Sequence, residues 1–316
     1  MERDDLKARL LECLGGPWPV GGDLRVQTGS VSARNGFRTQ ALSYEAEPGD
    51  RVPALLMVPD GVDATNPAPA VVVWHQHNGQ WDLGKSEPAG LAGNPMHHTG
   101  AALAKLGFVV LCPDALGFEE RRDQSLLDRE AEEFHFLRYL VAGRCLAWKN
   151  ILDMRRAIDF LWARPEVDST RIAGYGHSMG STFSWLLGPW EPRLSCLVGN
   201  CCLPTYAAIH RHKLLHCFTN FIPGWMRYGD TPDIAGLSAP TPLLLNFGEL
   251  DRLSPIEEVR AGVEVIARAY REVGLADRFS YFIEEGVGHV LSEAMWQRTG
   301  EWLRRHLRMP EPEATG

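Results

Sequence analysis

The sequence predicts an α/β protein with a mostly parallel sheet and helices on both faces. Three observations carry this. First, "APAVVVWH" (68–75), "FVVLCPDALG" (108–117), "LSCLVGNCC" (194–202) and "TPLLLNFG" (241–248) are short, continuous apolar runs. Such runs suit strands buried on both faces. Second, amphipathic helical segments alternate with these runs, the pattern of parallel strands joined by crossovers. Third, no linker divides the chain, so residues 38–308 read as one domain.

The elements follow in order. "MERDDLKARLLECLGG" is acidic and amphipathic, so residues 1–37 read as a helical N-terminal extension. It lacks the basic start and apolar stretch of a signal peptide. Its apolar face would pack on the domain or on a second subunit, which makes a homodimer one expectation. "RTQALSYEA" and "VPALLMVPD" alternate in polarity and read as a hairpin. "TGAALAKLG" reads as a helix ended by glycine. "LAWKNILDMRRAIDFLWA" (146–163) is a long amphipathic helix. "RIAGYGHS" reads as a strand running into a turn, with a helix beyond it. "PIEEVRAGVEVIARAYREVG", "RFSYFIEEG" and "LSEAMWQRTGEWLRRHL" close the chain as helix, strand and helix. That makes eight strands. Residues 203–240 have aromatics and histidines without clean periodicity, and read as a lid-like insertion. Residues 309–316 read as a disordered tail.

Composition excludes several functions. The formal net charge of −8 argues against nucleic-acid binding, which needs a basic stripe. No apolar run approaches the roughly 18–20 residues of a membrane span. Seven cysteines, an odd number without a C-x-x-C pair, read as reduced thiols of a cytoplasmic protein. The expected partner is a small molecule.

The chemistry is concentrated in "RIAGYGHSMGS" (171–181), where Gly174, Gly176 and Gly180 crowd around Ser178. Gly176-His177-Ser178-Met179-Gly180 fits G-x-S-x-G between a strand and a helix, the setting of a nucleophile elbow. There a sharp turn raises the serine hydroxyl above the sheet. The Met179 N–H, at a helix N-terminus, then faces a developing oxyanion. Serine needs a base, and the base an orienting acid. His289 in "GVGHVLS" and Asp251 in "FGELDRLSP" both follow late strands, in the chain order serine, acid, histidine. Glu249 is the alternative acid. Gly286 and Gly288 would let the loop return His289 to Ser178. The second oxyanion donor is expected after the third strand, in "WHQHNGQWDLGKSEPAG". His77 N–H is the candidate and Gln76 the alternative.

Trp81, His177, Tyr206, Phe221 and Trp225 are expected around the substrate. "FEERRDQ" (118–124) reads as a solvated loop. His75-x-His77 with His97-His98 is too weak a pattern for a metal site, since no acidic partner sits at ligand spacing.

The elbow "GHSMG", the acid loop "GELDRLSP" and the histidine loop "GVGHVLS" resemble the α/β-hydrolase superfamily. "LLMVPDG", "WHQHNG", "LAKLGFVVLCPDALGFEER", "GRCLAWKNILDMRRAIDFL" and "SAPTPLLLNFGELD" resemble its dienelactone hydrolase and acetyl xylan esterase-like branch. The resemblance runs from about residue 38 to 308. It implies an eight-stranded, mostly parallel sheet and cofactor-free hydrolysis of esters through an acyl-enzyme. Ser178, Asp251 and His289 take the triad positions, and Met179 and His77 the oxyanion positions. Dienelactone hydrolases proper have cysteine at the elbow, and the serine here favours ordinary esters. Acetyl xylan esterases often show H-G-x-G-G where this chain has His75-Gln76-His77-Asn78-Gly79. Acyl transfer and C–C bond hydrolysis are the other reactions open to such a triad.

Overall fold

A computed structural model describes residues 1–309. In chain order the elements are α1 (Arg3–Leu14), β1 (Gln27–Arg34), β2 (Phe37–Glu47), β3 (Asp50–Pro59) and β4 (Ala68–Trp74). Then come α2 (Thr99–Lys105), β5 (Val109–Pro113), α3 (Arg129–Val141), α4 (Leu146–Trp162), β6 (Val167–His177) and α5 (Met179–Leu187). The chain continues through β7 (Leu194–Asn200), α6 (Tyr206–His212), α7 (Thr231–Gly236) and β8 (Leu243–Gly248). It closes with α8 (Ile256–Glu272), β9 (Phe279–Glu284) and α9 (Glu293–His306).

The strands form one sheet in the order β1-β2-β3-β5-β4-β6-β7-β8-β9. β1, β2, β3 and β5 pair antiparallel in succession. From β5 to β9 every pairing is parallel. This is the α/β-hydrolase architecture. The sheet has nine strands, against the eight expected. The addition is β1, inside what reads as a helical extension. All eight of its residues are exposed, so no burial pattern marks it in the sequence.

Alternate side chains of β4 enter two separate cores. Ala70, Val72 and Trp74 join the larger core with α1, α4, α5 and α8. Val71 and Val73 join the other, with Leu103 of α2 and Trp302 and Leu303 of α9. A strand buried on both faces has no polar side to display, hence its continuous apolar run.

α1 packs on its own domain. Leu10 and Leu14 are fully buried. The Arg3 guanidinium donates to the Gly236 and Leu237 carbonyls at 3.1 and 2.6 Å. The insertion at 203–240 is not a detached lid. Leu203, Tyr206, Ile209, Ile222, Trp225 and Ile234 all enter the larger core. α7 packs against α8. Met309, placed in the tail from sequence, is half-buried against the smaller core. Residues 310–316 of the expected tail lie outside the described residues.

Candidate active site

β6 ends at His177 and α5 begins at Met179, so Ser178 alone makes the turn. Its φ is 56° and ψ −115°, a strained conformation for a residue with a side chain. The surroundings hold it there. The Ser178 N–H donates to the Asn200 carbonyl of the neighbouring strand at 2.8 Å. Glycine is needed on both sides because backbone passes too close for a Cβ. A Cβ on Gly176 would lie 2.2 Å from the Gly180 carbonyl carbon, and one on Gly180 would lie 2.1 Å from the Trp74 carbonyl oxygen. The glycines of G-x-S-x-G thus admit the helix against two strands, while the serine carries the strain.

The loops after β6, β8 and β9 bring three side chains into one hydrogen-bonded chain. His289 Nε2 lies 2.8 Å from Ser178 Oγ, and His289 Nδ1 lies 2.7 Å from Asp251 Oδ2. Asp251 is almost fully buried, and its Oδ1 accepts the Leu253 N–H at 2.9 Å. The two loops are tied by Leu250 N–H to the Val287 carbonyl at 2.7 Å. Glu249, the alternative acid, accepts the Gly286 N–H instead, at 3.2 Å.

The loop after β4 is held from both sides. His75 Nε2 accepts the Ala115 N–H at 3.0 Å, so Nδ1 carries the proton and donates to the Gln76 carbonyl at 2.8 Å. Holding that carbonyl turns the His77 N–H of the same planar peptide to the opposite side. The His77 side chain is fixed too. Its Nδ1 accepts the Gly79 N–H at 3.0 Å, and its Nε2–H donates to Glu132 Oε2 at 3.0 Å. Glu132 is buried on α3, and its other oxygen accepts the Phe218 N–H of the insertion at 2.7 Å. One carboxylate therefore joins this loop to the insertion. The sequence carries no signal for it. All four ring nitrogens of His75 and His77 have protein partners, which leaves no lone pair for a metal.

Of the expected substrate contacts, His177 and Trp81 lie beside these groups. The His177 ring is 5.4 Å from His289 and 4.7 Å from His97. Burial, aided by both neighbouring imidazoles, pushes its pKa well below the ordinary value, so it is neutral at pH 7. Its Nδ1 has no protein partner, nor has His97 Nδ1. His216, from the insertion, is close enough to feel the charges of Asp251 and His289; burial lowers its pKa first. No motif in the sequence marks His97 or His216 as part of this site. Trp81 stacks edge-on against His77 at 4.8 Å. Phe221 is half-buried, 6.4 Å from Phe218.

Tyr206 and Trp225 need correction. The Tyr206 hydroxyl donates to the Asn220 carbonyl at 2.7 Å and accepts the Ile222 N–H at 3.0 Å. Trp225 is fully buried and donates to the Asp230 carbonyl at 3.0 Å. Both brace the insertion from within and offer no free surface to a substrate.

The cluster at 118–124 is also not a solvated loop. Lys85 Nζ sits 2.8 Å from Asp114, 2.6 Å from Glu119 and 2.6 Å from Glu120. Burial would discharge this lysine, but the three carboxylates raise its pKa. Arg121 bridges Asp50 and Asp153 at 3.0 and 2.7 Å. Among the described residues, Asp114, Glu119 and Glu120 are the one group at metal-ligand spacing, and Lys85 already supplies their cation. Their opposite charges come from distant segments, so the sequence alone does not reveal the pairing.

Comparisons with known proteins bear on the fold. Residues 52–199 match the family described as "Dienelactone hydrolase family". YtaP of Bacillus subtilis (strain 168) is 27% identical over 310 residues, covering 96% of this chain and all of that protein. Glucuronoyl esterase from Solibacter usitatus superposes with a TM-score of 0.70 at 14% identity, covering 96% of this chain and 92% of that one. Acetyl xylan esterase from Paenibacillus sp. R4 superposes with a TM-score of 0.65 at 16% identity, again over 96% and 92%. At these identities the structural matches establish the shared fold.

Proposed function

We propose that this chain, whose residues 52–199 match the dienelactone hydrolase family and whose fold is that of the α/β-hydrolases, is a serine carboxylesterase for small or short-chain esters. The observation that carries the reading is the unbroken run of hydrogen bonds from Ser178 Oγ through His289 to Asp251. That run is what a serine needs to become a nucleophile at neutral pH.

Ser178 Oγ attacks the ester carbonyl as His289 Nε2 takes its proton. Asp251 holds the proton on Nδ1 and stabilises the imidazolium. The carbonyl oxygen becomes an oxyanion. It is met by the Met179 N–H, one of the four that a helix start leaves without an acceptor. The His77 N–H, turned by the His75 clamp, is the second donor. His289 returns its proton to the leaving alcohol, and the acyl group stays on Ser178. Water, deprotonated by His289, then releases the acid and restores the serine.

The solved structures with this fold include a glucuronoyl esterase and an acetyl xylan esterase, by name. That supports an ester as the scissile bond. The departures at Gln76 and Asn78 leave the sugar itself without support.

The test is a ladder of p-nitrophenyl esters from acetyl to decanoyl, run with wild type and Ser178→Ala. The expected result is a peak at short chains and loss of at least about 10³-fold in kcat on substitution. Retained activity in Ser178→Ala would remove the serine from the mechanism. A labelled serine that turns over no simple ester would favour acyl transfer or C–C hydrolysis.

A further inference from the structure

The helix α3 carries apolar side chains on its outer face as well as its inner one, where Phe136 packs against the larger core. Its inner face carries Ala131, Glu132, His135 and Tyr139, all buried. Its outer face carries Phe134, Leu137, Leu140 and Val141, with 48%, 48%, 41% and 90% of their surfaces exposed. Leu127, just before the helix, is 70% exposed. A surface helix normally turns its apolar stripe inward. Residues 134, 137 and 141 keep the helical spacing of such a stripe, yet it faces away from the domain. Four large apolar side chains on one outer face are the mark of a contact surface.

We propose that this face is the interface between two copies of the chain, packed antiparallel across a two-fold axis. The argument is that the face is complementary to itself. Its exposed positions are Glu130, Glu133, Phe134, Leu137, Arg138 and Val141, with Leu140 at the margin. A two-fold axis crossing the helix between residues 135 and 136 exchanges 130 with 141, 133 with 138 and 134 with 137, and leaves Leu140 outside the pairing. It opposes Phe134 with the partner copy's residue 137 position, a leucine, and Glu133 with its residue 138 position, an arginine. Each contact occurs twice, as an isologous interface requires. Among the described residues Arg138 makes no ion pair with its own chain; its guanidinium lies over the Tyr139 ring at 5.0 Å and donates to the Tyr139 hydroxyl at 3.3 Å. The opposed charges fix the register, and the apolar pairs supply the association energy. The helix is about 20 Å long, from 13 residues at 1.5 Å each. Its inner face also carries Glu132, the residue that ties the His77 loop to the insertion. Packing the outer face would steady that tie.

The test is sedimentation velocity of the full chain from about 1 to 100 μM, with charge-swap variants. The wild type should sediment at twice the 35.2 kDa of one chain. Glu133→Arg and Arg138→Glu should each weaken the dimer about tenfold by placing like charges opposite one another. The double variant should recover wild-type association. Leu137→Glu should be monomeric. These side chains are exposed, so the monomeric variants should stay folded, with an unfolding temperature that, unlike the wild type's, does not rise with protein concentration. A readout needing no variant is hydrogen exchange of residues 127–144, which should slow as wild-type concentration rises. A wild type that stays monomeric to 100 μM would overturn the proposal, and binding to lipid vesicles in that case would assign the face to a membrane surface. A dimer indifferent to the charge swaps and to Leu137→Glu would overturn it equally, by placing the interface elsewhere.

Discussion

Replacing Glu132 with glutamine tests the link between the proposed oxyanion loop after β4 and the insertion. The carboxylate accepts two hydrogen bonds, from His77 Nε2–H at 3.0 Å and from the Phe218 N–H at 2.7 Å. Both donors are fixed. His77 cannot switch tautomer without losing the Gly79 N–H on Nδ1, and a backbone N–H cannot accept. Glutamine keeps the shape but has only one carbonyl oxygen. Its NH₂ must therefore face one of the two donors. A buried donor left unmatched costs about 1–3 kcal/mol. For a chain of this size that lowers the unfolding temperature by a few degrees, at about 2–4 °C per kcal/mol. The catalytic effect depends on which bond breaks. Losing the His77 bond frees the loop whose His77 N–H is proposed as the second oxyanion donor. Removing such a donor outright costs about 10²–10³ in kcat, so a loosened one should cost about tenfold. The assay pairs thermal unfolding with steady-state hydrolysis of p-nitrophenyl acetate. The expected result is a lower unfolding temperature with a fall mainly in kcat, because the donor acts on the oxyanion and not on the bound ester. An unfolding temperature that falls while kcat holds would show that Glu132 only braces the fold.

Two further outcomes follow from the same geometry. Gly180→Ala places a Cβ 2.1 Å from the Trp74 carbonyl oxygen, which is backbone and cannot swing aside. It should cost about 3 kcal/mol or prevent folding, read from the urea midpoint, and a wild-type midpoint would contradict the close-approach account. Acid should destabilise the protein through its buried histidines. Burial pushes the His75 pKa down to about 4, below the 6.5 expected when unfolded. The unfolded chain therefore binds a proton at pH values where the fold does not. The stability from His75 is complete above pH 6.5 and is lost as pH falls towards 4, by about 3 kcal/mol. His177 is shifted in the same direction and adds to the effect. Urea unfolding at pH 7 and pH 5 measures it, and equal stabilities would refute it.

Much of this site is legible in the sequence because its parts are local signals. The elbow is five consecutive residues, and its glycines answer a steric need that the neighbouring strands impose. Asp251 and His289 are readable because chain order and the preceding strands place them at the C-terminal ends of the parallel strands. What stays hidden is pairwise and long-range. Lys85, Asp114 and Arg121 look like ordinary surface charges until the fold brings them together. Glu132 sits in a helix with apolar side chains on both faces, so periodicity does not find it. β1 buries nothing and is held by backbone pairing alone, which leaves no pattern to read. Tyr206 and Trp225 mislead for a further reason. Aromatic residues in an irregular segment suit a pocket lining and an internal brace equally, and only their hydrogen bonds tell the two apart.

The central claim is that Ser178 is an activated nucleophile, and covalent labelling addresses it most directly. The full chain would be treated with a fluorophosphonate at pH 7, digested, and the modified peptide sequenced by mass spectrometry. The account predicts one adduct per chain, on Ser178, abolished in Ser178→Ala and strongly slowed in His289→Ala. Labelling at another residue, or none while ester hydrolysis continues, would contradict it.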